Sequence, residues 1–178
     1  MTKVLLVLSS VRDGRAADKV LELVQNELKN FPDLEVDIAD FKKNPLPLID
    51  SHDIPASEDF NPADENVKKW TNQVISADVI VILEAEYNHS YTPIIKNAID
   101  WIYKPWINKP VAFIGYGWVG GARAIKHLRD VFASNISVNV LDTEANLCFT
   151  KDIELDGAPI GDTASQAINN VLKAIQNV

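Results

Sequence analysis

Residues 80–101 constrain the fold of this chain more than any other stretch. They begin with a continuous apolar, mostly β-branched run, break into a short polar turn, and resume with apolar residues at helical spacing. A run that is apolar on both faces is typical of an interior strand in a sheet covered on both sides. In an open α/β sheet, the loop after an interior strand lines the ligand crevice. We therefore expect residues 86–90 to lie in a binding site.

The rest of the chain repeats this alternation of strand and helix. Apolar runs predict strands at residues 4–8, 34–38, from 79, 111–114 and, weakly, 137–141. Helical spacing predicts helices at residues 15–29, from about Asp64, 93–103, around 124–132 and 164–178, with a polar, turn-rich segment at 147–163. Strict alternation favours a doubly wound parallel sheet, a three-layer α/β/α fold with the flavodoxin-like strand order 2-1-3-4-5.

Composition limits the class of protein. The 178 residues show no shift in composition, so we expect one domain spanning residues 1–178. The net charge of −8 gives the chain no general attraction to nucleic acid or to an anionic membrane. A single cysteine allows no internal disulfide, and the first apolar run is too short for a signal peptide or a membrane span. We expect a cytoplasmic protein that binds neither nucleic acid nor membranes.

Residues 40–64 predict a long loop, because they lack periodicity and contain four prolines. A loop of this length in a compact domain is usually functional or a subunit contact. A mobile surface loop without a role is the alternative.

The loop after the first strand has the composition of an anion site. Ser9, Ser10, Arg12, Gly14 and Arg15 stand directly before a helix, where free backbone N–H groups and the helix dipole favour a phosphate. Both arginines can add charge-assisted hydrogen bonds. The alternative is a helix cap at Ser10 or Asp13 with two solvated arginines.

The loop after the third strand places an aromatic ring, an amide and an imidazole side by side, in Tyr87, Asn88 and His89. These groups can pack against a flat heterocycle and hydrogen-bond to its edge. A lone histidine is more often a surface residue than a catalytic one. Ser90 and Thr92 are alternative N-caps of the following helix.

The loop after the fourth strand, residues 115–121, has four glycines in seven residues. Glycine lets the backbone approach a planar ligand and present N–H groups to its carbonyls. Trp118 at the tip is either a lid over that ligand or a dimer contact.

Together, these loops resemble those of the NADPH-dependent FMN reductase family, which includes azoreductases, quinone reductases and chromate reductases. The first matching motif is Ser9-Ser10-Val11-Arg12, the second is residues 85–101 (AEYNHSYTPIIKNAIDW), and the third is Val119-Gly120-Gly121-Ala122-Arg123. The resemblance covers residues 2–141, and its second motif is long and specific.

The resemblance implies an FMN site at the carboxyl edge of the sheet. By analogy, Ser10 and Arg12 hold the phosphate with help from Arg15. The residues that line the ribityl chain and the isoalloxazine ring are Glu86, Tyr87, Asn88 and Ser90. The ring is approached by Gly117, Gly120 and Gly121. No metal is implied.

The chain also departs from the family pattern. Ser9 stands in place of a glycine, Ala85 and Thr92 stand in place of prolines, and Gly115 stands where serine is frequent. These differences predict an altered geometry of the third and fourth loops.

The resemblance further implies ping-pong hydride transfer, from NADPH or NADH to FMN and then to a small acceptor such as a quinone, azo compound, flavin or metal oxyanion. The chemistry is carried by FMN, so no side chain is predicted to be catalytic. A homodimer or dimer of dimers is implied, with Trp101, Tyr103 and Trp106 partly exposed on the monomer. The alternatives are a flavodoxin-type electron-transfer protein and a non-catalytic relative.

Overall fold

The computed structural model describes residues 1–134, 137–176 and 178. Its strands are β1 (Thr2–Leu8), β2 (Leu34–Asp40), β3 (Val79–Ala85), β4 (Pro110–Gly117) and β5 (Asn139–Cys148). Its α-helices are α1 (Ala17–Leu28), α2 (Glu65–Ser76), α3 (Pro93–Asp100), α4 (Ala122–Ser134) and α5 (Thr163–Ile175), with a short 3₁₀ turn at Lys104–Trp106. The strands form one parallel sheet in the order β2-β1-β3-β4-β5. This confirms the predicted fold class and strand order.

The sheet separates two apolar layers, because successive strand residues point to opposite faces. Val4, Leu6 and Leu8 of β1 pack on the side of α1 and α5. Leu5 and Val7 pack on the side of α2, α3 and α4. All seven residues of β3 are buried, as the sequence predicted for an interior strand. Within the described residues, no helix is long and apolar enough to cross a bilayer.

Several element boundaries differ from the prediction. The predicted fourth strand ended at residue 114, but β4 continues through Gly117, because those residues pair with β5. The predicted helix at 93–103 ends at Asp100. The predicted last helix ended at residue 178, but α5 ends at Ile175, and residue 177 lies outside the described residues.

The fifth strand is the largest difference. Its prediction at residues 137–141 was too short, because β5 runs to Cys148 with most of its side chains only partly buried. An edge strand of this kind has no continuous apolar run to mark it. A register shift opposite Val111 and Phe113 of β4 further interrupts its pattern.

The predicted long loop lies against α3. Between Asp40, which ends β2, and Asp64, which caps α2, the chain forms no helix or strand. The Pro47 carbonyl accepts hydrogen bonds from Asn97 Nδ2 at 2.8 Å and Trp101 Nε1 at 2.7 Å, and the Ile49 N–H donates to Asn97 Oδ1 at 3.0 Å. Two side chains of the 85–101 motif therefore hold this loop.

The long loop also corrects an expectation about exposed aromatics. Trp101, Tyr103 and Trp106 were expected to be partly exposed on a monomer. Tyr103 is, but Trp101 and Trp106 are only 4% and 0% exposed. Trp101 is covered by the loop, where its ring lies 6.4 Å from that of Phe60. Trp106 packs between Trp70 and Phe132 in the core. Burial within the chain itself explains both tryptophans, so they supply no argument for a dimer.

Candidate functional site

Three loops meet at the carboxyl ends of β1, β3 and β4, which are neighbours in the sheet. We call them the β1 loop (residues 9–16), the β3 loop (residues 86–92) and the β4 loop (residues 117–121). The hydroxyl groups of Ser10 and Tyr87 join the β1 and β3 loops at 2.8 Å. The Glu86 N–H donates to the Tyr116 carbonyl at 3.2 Å, which ties the β3 loop to the end of β4. The loops chosen from sequence therefore form one rim.

The β1 loop is rich in free backbone donors. None of the N–H groups of residues 10–16 donates to another group within the described part of the chain. The N-cap of α1 is Ala16, which has no capping side chain, whereas Thr92 caps α3 through the Ile95 N–H. Helix N-terminal N–H groups left without a cap favour an anion.

The two charged residues at the tip of the β1 loop differ in their contacts. Arg12 is exposed and makes no hydrogen bond or ion pair through its side chain with the described residues. Asp13 pairs with Lys42 at 2.8 Å, and this contact lowers the pKa of the Asp13 carboxyl. Neither Ser10 nor Asp13 caps α1, so the alternative in which this loop is a helix cap is wrong. Arg12 remains as the free cation of the loop.

Arg15 lies in a different environment from the one predicted. Its side chain is 3% exposed and all five of its N–H groups donate: two to Asp40, two to Asp18 and one to the Ser10 carbonyl. The distances to the Asp40 oxygens are 2.8 and 2.7 Å. The predicted help from Arg15 in holding a phosphate stays a prediction, and its donors already join the β1 loop to the end of β2.

The pair between Arg15 and Asp40 also changes the acidity of both groups. The hydrogen bonds to Asp40 raise the pKa of Arg15 above its already high ordinary value. Burial by itself would raise the pKa of Asp40, but the hydrogen bonds from Arg15 and from the Lys42 N–H, together with the charges of Arg15 and Lys43, outweigh it, so the pKa lies below its usual value. Both groups are therefore charged at neutral pH.

A two-residue turn shapes the β3 loop. Tyr87 and Ser90 exchange backbone hydrogen bonds at 2.9 and 3.0 Å, and the two residues between them, Asn88 and His89, have φ of +47° and +68°. Positive φ at both central positions is the geometry of a tight hairpin turn, which asparagine tolerates well. The turn exposes the Asn88 and His89 side chains while Tyr87 reaches back to Ser10.

Glu86 is brought to the rim, but its carboxylate is engaged. The Glu86 side chain is 6% exposed and accepts from Arg123 Nε at 2.7 Å, and Arg123 also donates to Nδ1 of His89 at 3.2 Å. Ser90 shares a hydrogen bond of 2.9 Å with His127. These contacts fasten the β3 loop to the start of α4. Sequence reasoning did not place Arg123 or His127 in the site, although Arg123 ends the third motif.

The glycines of the β4 loop are required by the packing of the loop against its own chain. A Cβ atom on Gly120, whose φ is +65°, would lie 2.7 Å from the backbone of Asn146 in β5. A Cβ atom on Gly121 would lie equally close to the Tyr116 backbone, and one on Gly117 would lie 3.3 Å from Glu86. The missing Cβ atoms thus let the loop pack on its own strands. Their predicted approach to a ring stays a prediction.

The β4 loop also offers donors and an apolar surface. The backbone N–H groups of Trp118, Val119 and Gly121 donate to no other group in the described parts of the chain. Trp118 is 67% exposed, and its ring meets the edge of Phe149 at 5.8 Å. The rim therefore combines free N–H groups with an exposed indole ring.

A buried carboxyl lies under the rim. Glu84 is 0% exposed, and burial raises its pKa to about 8 against the opposing effect of the hydrogen bond from the Thr92 N–H. The pKa of Tyr116 on β4 is also raised, mainly by burial and secondly by the charge of Glu84. Sequence analysis passed over Glu84, although a carboxyl inside an otherwise apolar run was a signal.

The donor set fits a flat ring that carries a phosphate. Free N–H groups and Arg12 lie at the β1 end of the rim, while Tyr87 and the β4 loop lie at the other end. Among the described residues, no three His, Cys, Asp or Glu side chains gather as metal ligands do. The arrangement can bind and orient an anionic heteroaromatic molecule.

Comparison with known proteins agrees with this geometry. The family model described as NADPH-dependent FMN reductase matches residues 2–151. The chain is 33% identical over 167 residues to the NAD(P)H-dependent FMN reductase ntnL of Nectria sp, covering 89% of this chain and 81% of that protein. It is 30% identical over 185 residues to an NAD(P)H-dependent FMN reductase of Pseudomonas aeruginosa, covering 98% and 93%.

Among solved structures, the fold is similar to that of the flavoenzyme NAD(P)H:(acceptor) oxidoreductase FerB from Paracoccus denitrificans. The TM-score is 0.78 with 22% sequence identity, covering 99% of this chain and 96% of the other.

Proposed function

The chain belongs to the NADPH-dependent FMN reductase family, and from this premise we propose that it reduces a small acceptor in two half-reactions at the rim. Membership makes it an oxidoreductase with FMN as cofactor and NADPH or NADH as co-substrate. The proposed acceptors are a quinone, an azo compound, a flavin or a metal oxyanion. Residues 1–178 act as a single FMN-binding domain.

The observation that carries the proposed site is the uncapped start of α1. The N–H groups of residues 10–16 and the guanidinium of Arg12, which have no partner among the described residues, would hold the FMN phosphate, because a chain of net charge −8 needs local donors to bind an anion. The hydroxyl of Ser10, which is 3% exposed, is bonded to Tyr87, so Ser10 would hold the phosphate through its backbone N–H.

The β3 and β4 loops would hold the ribityl chain and the ring. Tyr87 and Asn88 supply a flat surface and an amide, while Glu86 and Ser90 keep the loop fixed against Arg123 and His127. The N–H groups at the tip of the β4 loop would donate to ring carbonyls, and its glycines 117, 120 and 121 allow the close packing that places them.

FMN, when bound, supplies the centre that accepts hydride from NAD(P)H and passes it to the acceptor. The residues of the rim would bind the cofactor by its phosphate and orient its ring, with the exposed Trp118 at the same edge. In this proposal NAD(P)H and the acceptor use one site in turn, which gives ping-pong kinetics. The proposal requires no catalytic side chain and no metal.

The proposal extends to assembly and location. We propose a homodimer or a dimer of dimers in the cytoplasm. Trp118 and Val119, 67% and 41% exposed at the edge of the rim, support a contact with a second copy there.

The experiment starts from purified protein stripped of flavin. Added FMN should bind and restore the flavin absorption bands, and NADPH or NADH should then be oxidised with a quinone, giving parallel lines in double-reciprocal plots. Protein that binds no FMN would be a non-catalytic relative. Protein that binds FMN yet leaves NADPH and NADH unoxidised would be a flavodoxin-type electron carrier, and the proposal would fail.

A further inference from the structure

Three polar side chains from three elements meet beneath the rim, and we call Ser9, Glu84 and Thr92 the buried polar cluster. All three are 0% exposed. The Thr92 N–H donates to Glu84 Oε1 at 2.7 Å, and the Thr92 hydroxyl donates to the Ser9 carbonyl at 3.1 Å. The cluster therefore links the start of α3 to both β3 and the β1 loop.

Ser9 completes the link between the strands. Its hydroxyl donates to the Leu83 carbonyl at 3.1 Å and accepts from the Ala85 N–H at 3.2 Å. The last residues of β3 are thus held against the end of β1. A displacement of Glu84 would therefore move both the β1 loop and the β3 loop.

The donors of this cluster depend on the departures from the family pattern. Ala85 and Thr92 stand where that pattern has proline, which has no N–H, and each donates its N–H to the cluster. Ser9 stands in place of a glycine and supplies the hydroxyl. The departures are therefore joined by hydrogen bonds in one network, with Glu84 as an acceptor.

Glu84 has no cationic partner. Its second oxygen, Oε2, is buried without a hydrogen-bond partner among the described residues. The groups that face it are the hydroxyl of Ser9, which follows β1, and the N–H of Thr92 from the start of α3. Tyr116 of β4 points to the opposite face of the sheet, and the Glu84 charge raises the pKa of Tyr116 without a direct contact. An unpaired charge in such a site is strongly disfavoured.

We propose that Glu84 is a positioning residue that holds the β1 and β3 loops together as a neutral carboxyl, and that loss of its proton loosens the loops and weakens FMN binding. The proposal rests on the FMN site proposed above. Glu84 touches no part of the rim surface directly and acts through Thr92 and Ser9. Above the pH at which it ionises, the buried charge favours conformations that open the cluster to water.

The test is the pH dependence of FMN affinity. In the proposal, only molecules with neutral Glu84 bind FMN tightly. With a pKa of about 8, the fraction of such molecules is about tenfold smaller at pH 9 than at pH 7, so the apparent FMN affinity should fall by the same factor. Glu84→Gln retains the acceptor for Thr92 but cannot ionise, so it should bind FMN with little change over this range. Glu35→Gln, at an exposed position on β2, is the matched control and should behave as wild type. Parallel pH profiles for wild type and Glu84→Gln would overturn the proposal.

Amide hydrogen exchange in the flavin-free protein provides an independent readout. Relative to Glu84→Gln at the same pH, the wild type should lose protection at Ala85 and Thr92 between pH 7 and 9. Equal protection in both proteins would contradict the role of Glu84. A protein that binds no FMN at any pH would contradict the proposed function instead, and the exchange result would still decide the role of Glu84.

Discussion

Arg12 and Arg15 provide a matched pair of substitutions, because they stand three residues apart in one loop and differ in their contacts. Arg12 is exposed and its side chain is unpaired among the described residues, whereas all five N–H groups of Arg15 donate to protein oxygens. Replacing each by methionine removes the charge and keeps much of the length. We expect Arg12→Met to weaken FMN binding and Arg15→Met to destabilise the fold.

The magnitudes follow from these environments. Arg15→Met leaves the Asp40 carboxylate, 5% exposed, with only the exposed Lys43 ammonium 3.9 Å away. Removing one partner of a buried ion pair costs about 3 to 5 kcal/mol. For a chain of this size, that lowers Tm by roughly 6 to 20 °C. Arg12→Met removes a charge-assisted hydrogen bond to phosphate, roughly 1.5 to 3 kcal/mol, or about 10- to 150-fold in affinity.

Two measurements separate the roles: urea unfolding of the flavin-free protein and FMN titration by flavin fluorescence. Arg12→Met should keep the wild-type free energy of unfolding. The double variant Arg15→Met/Asp40→Leu, which removes both charges, should recover much of the stability lost by Arg15→Met. The reasoning is refuted if Arg15→Met unfolds like wild type, or if Arg12→Met lowers the free energy of unfolding as much as Arg15→Met does.

Three further substitutions test other parts of the rim. Tyr87→Phe removes the hydroxyl that meets Ser10 and should weaken FMN binding by up to about tenfold in titration, since one neutral hydrogen bond contributes about 0.5 to 1.5 kcal/mol; unchanged affinity would count against this contact. Gly120→Ala should destabilise the protein far more in urea than Gly14→Ala, because both have positive φ but only Gly120 lacks space for a Cβ atom; equal losses would contradict the packing argument. Trp101→Phe should release the long loop and speed its cleavage in limited proteolysis, because the Nε1 hydrogen bond is lost; an unchanged cleavage rate would contradict that role.

The sequence predicted the fold well where burial is continuous. Strand β3 is apolar on both faces and was found in place, and Asp64 caps α2 through the N–H groups of residues 66 and 67, as its position predicted. The edge strand β5 was cut short because most of its side chains are only partly buried. A half-exposed edge strand with a register shift gives no clear period in the sequence.

The rim was located from sequence, but its internal pairing was not. Arg15 meets Asp40 25 positions later, and no local pattern marks such a pair. Arg123 binds Glu86 across 37 positions. Glu84 had a visible sign, a carboxyl in an apolar run, but its partner Thr92 was considered only as a helix cap and as a departure from the family pattern. Contacts between distant residues depend on the fold, so residue types alone do not predict which donors stay free.

The crystal structure of the FMN complex tests the central claim most directly. We expect the phosphate within hydrogen-bond distance of the Arg12 guanidinium and of N–H groups in the β1 loop, and the ring between Tyr87 and the β4 loop. Arg15 should remain on Asp40. Crystals grown at saturating FMN in which the cofactor lies away from this rim, with Arg12 turned to solvent, would contradict the account.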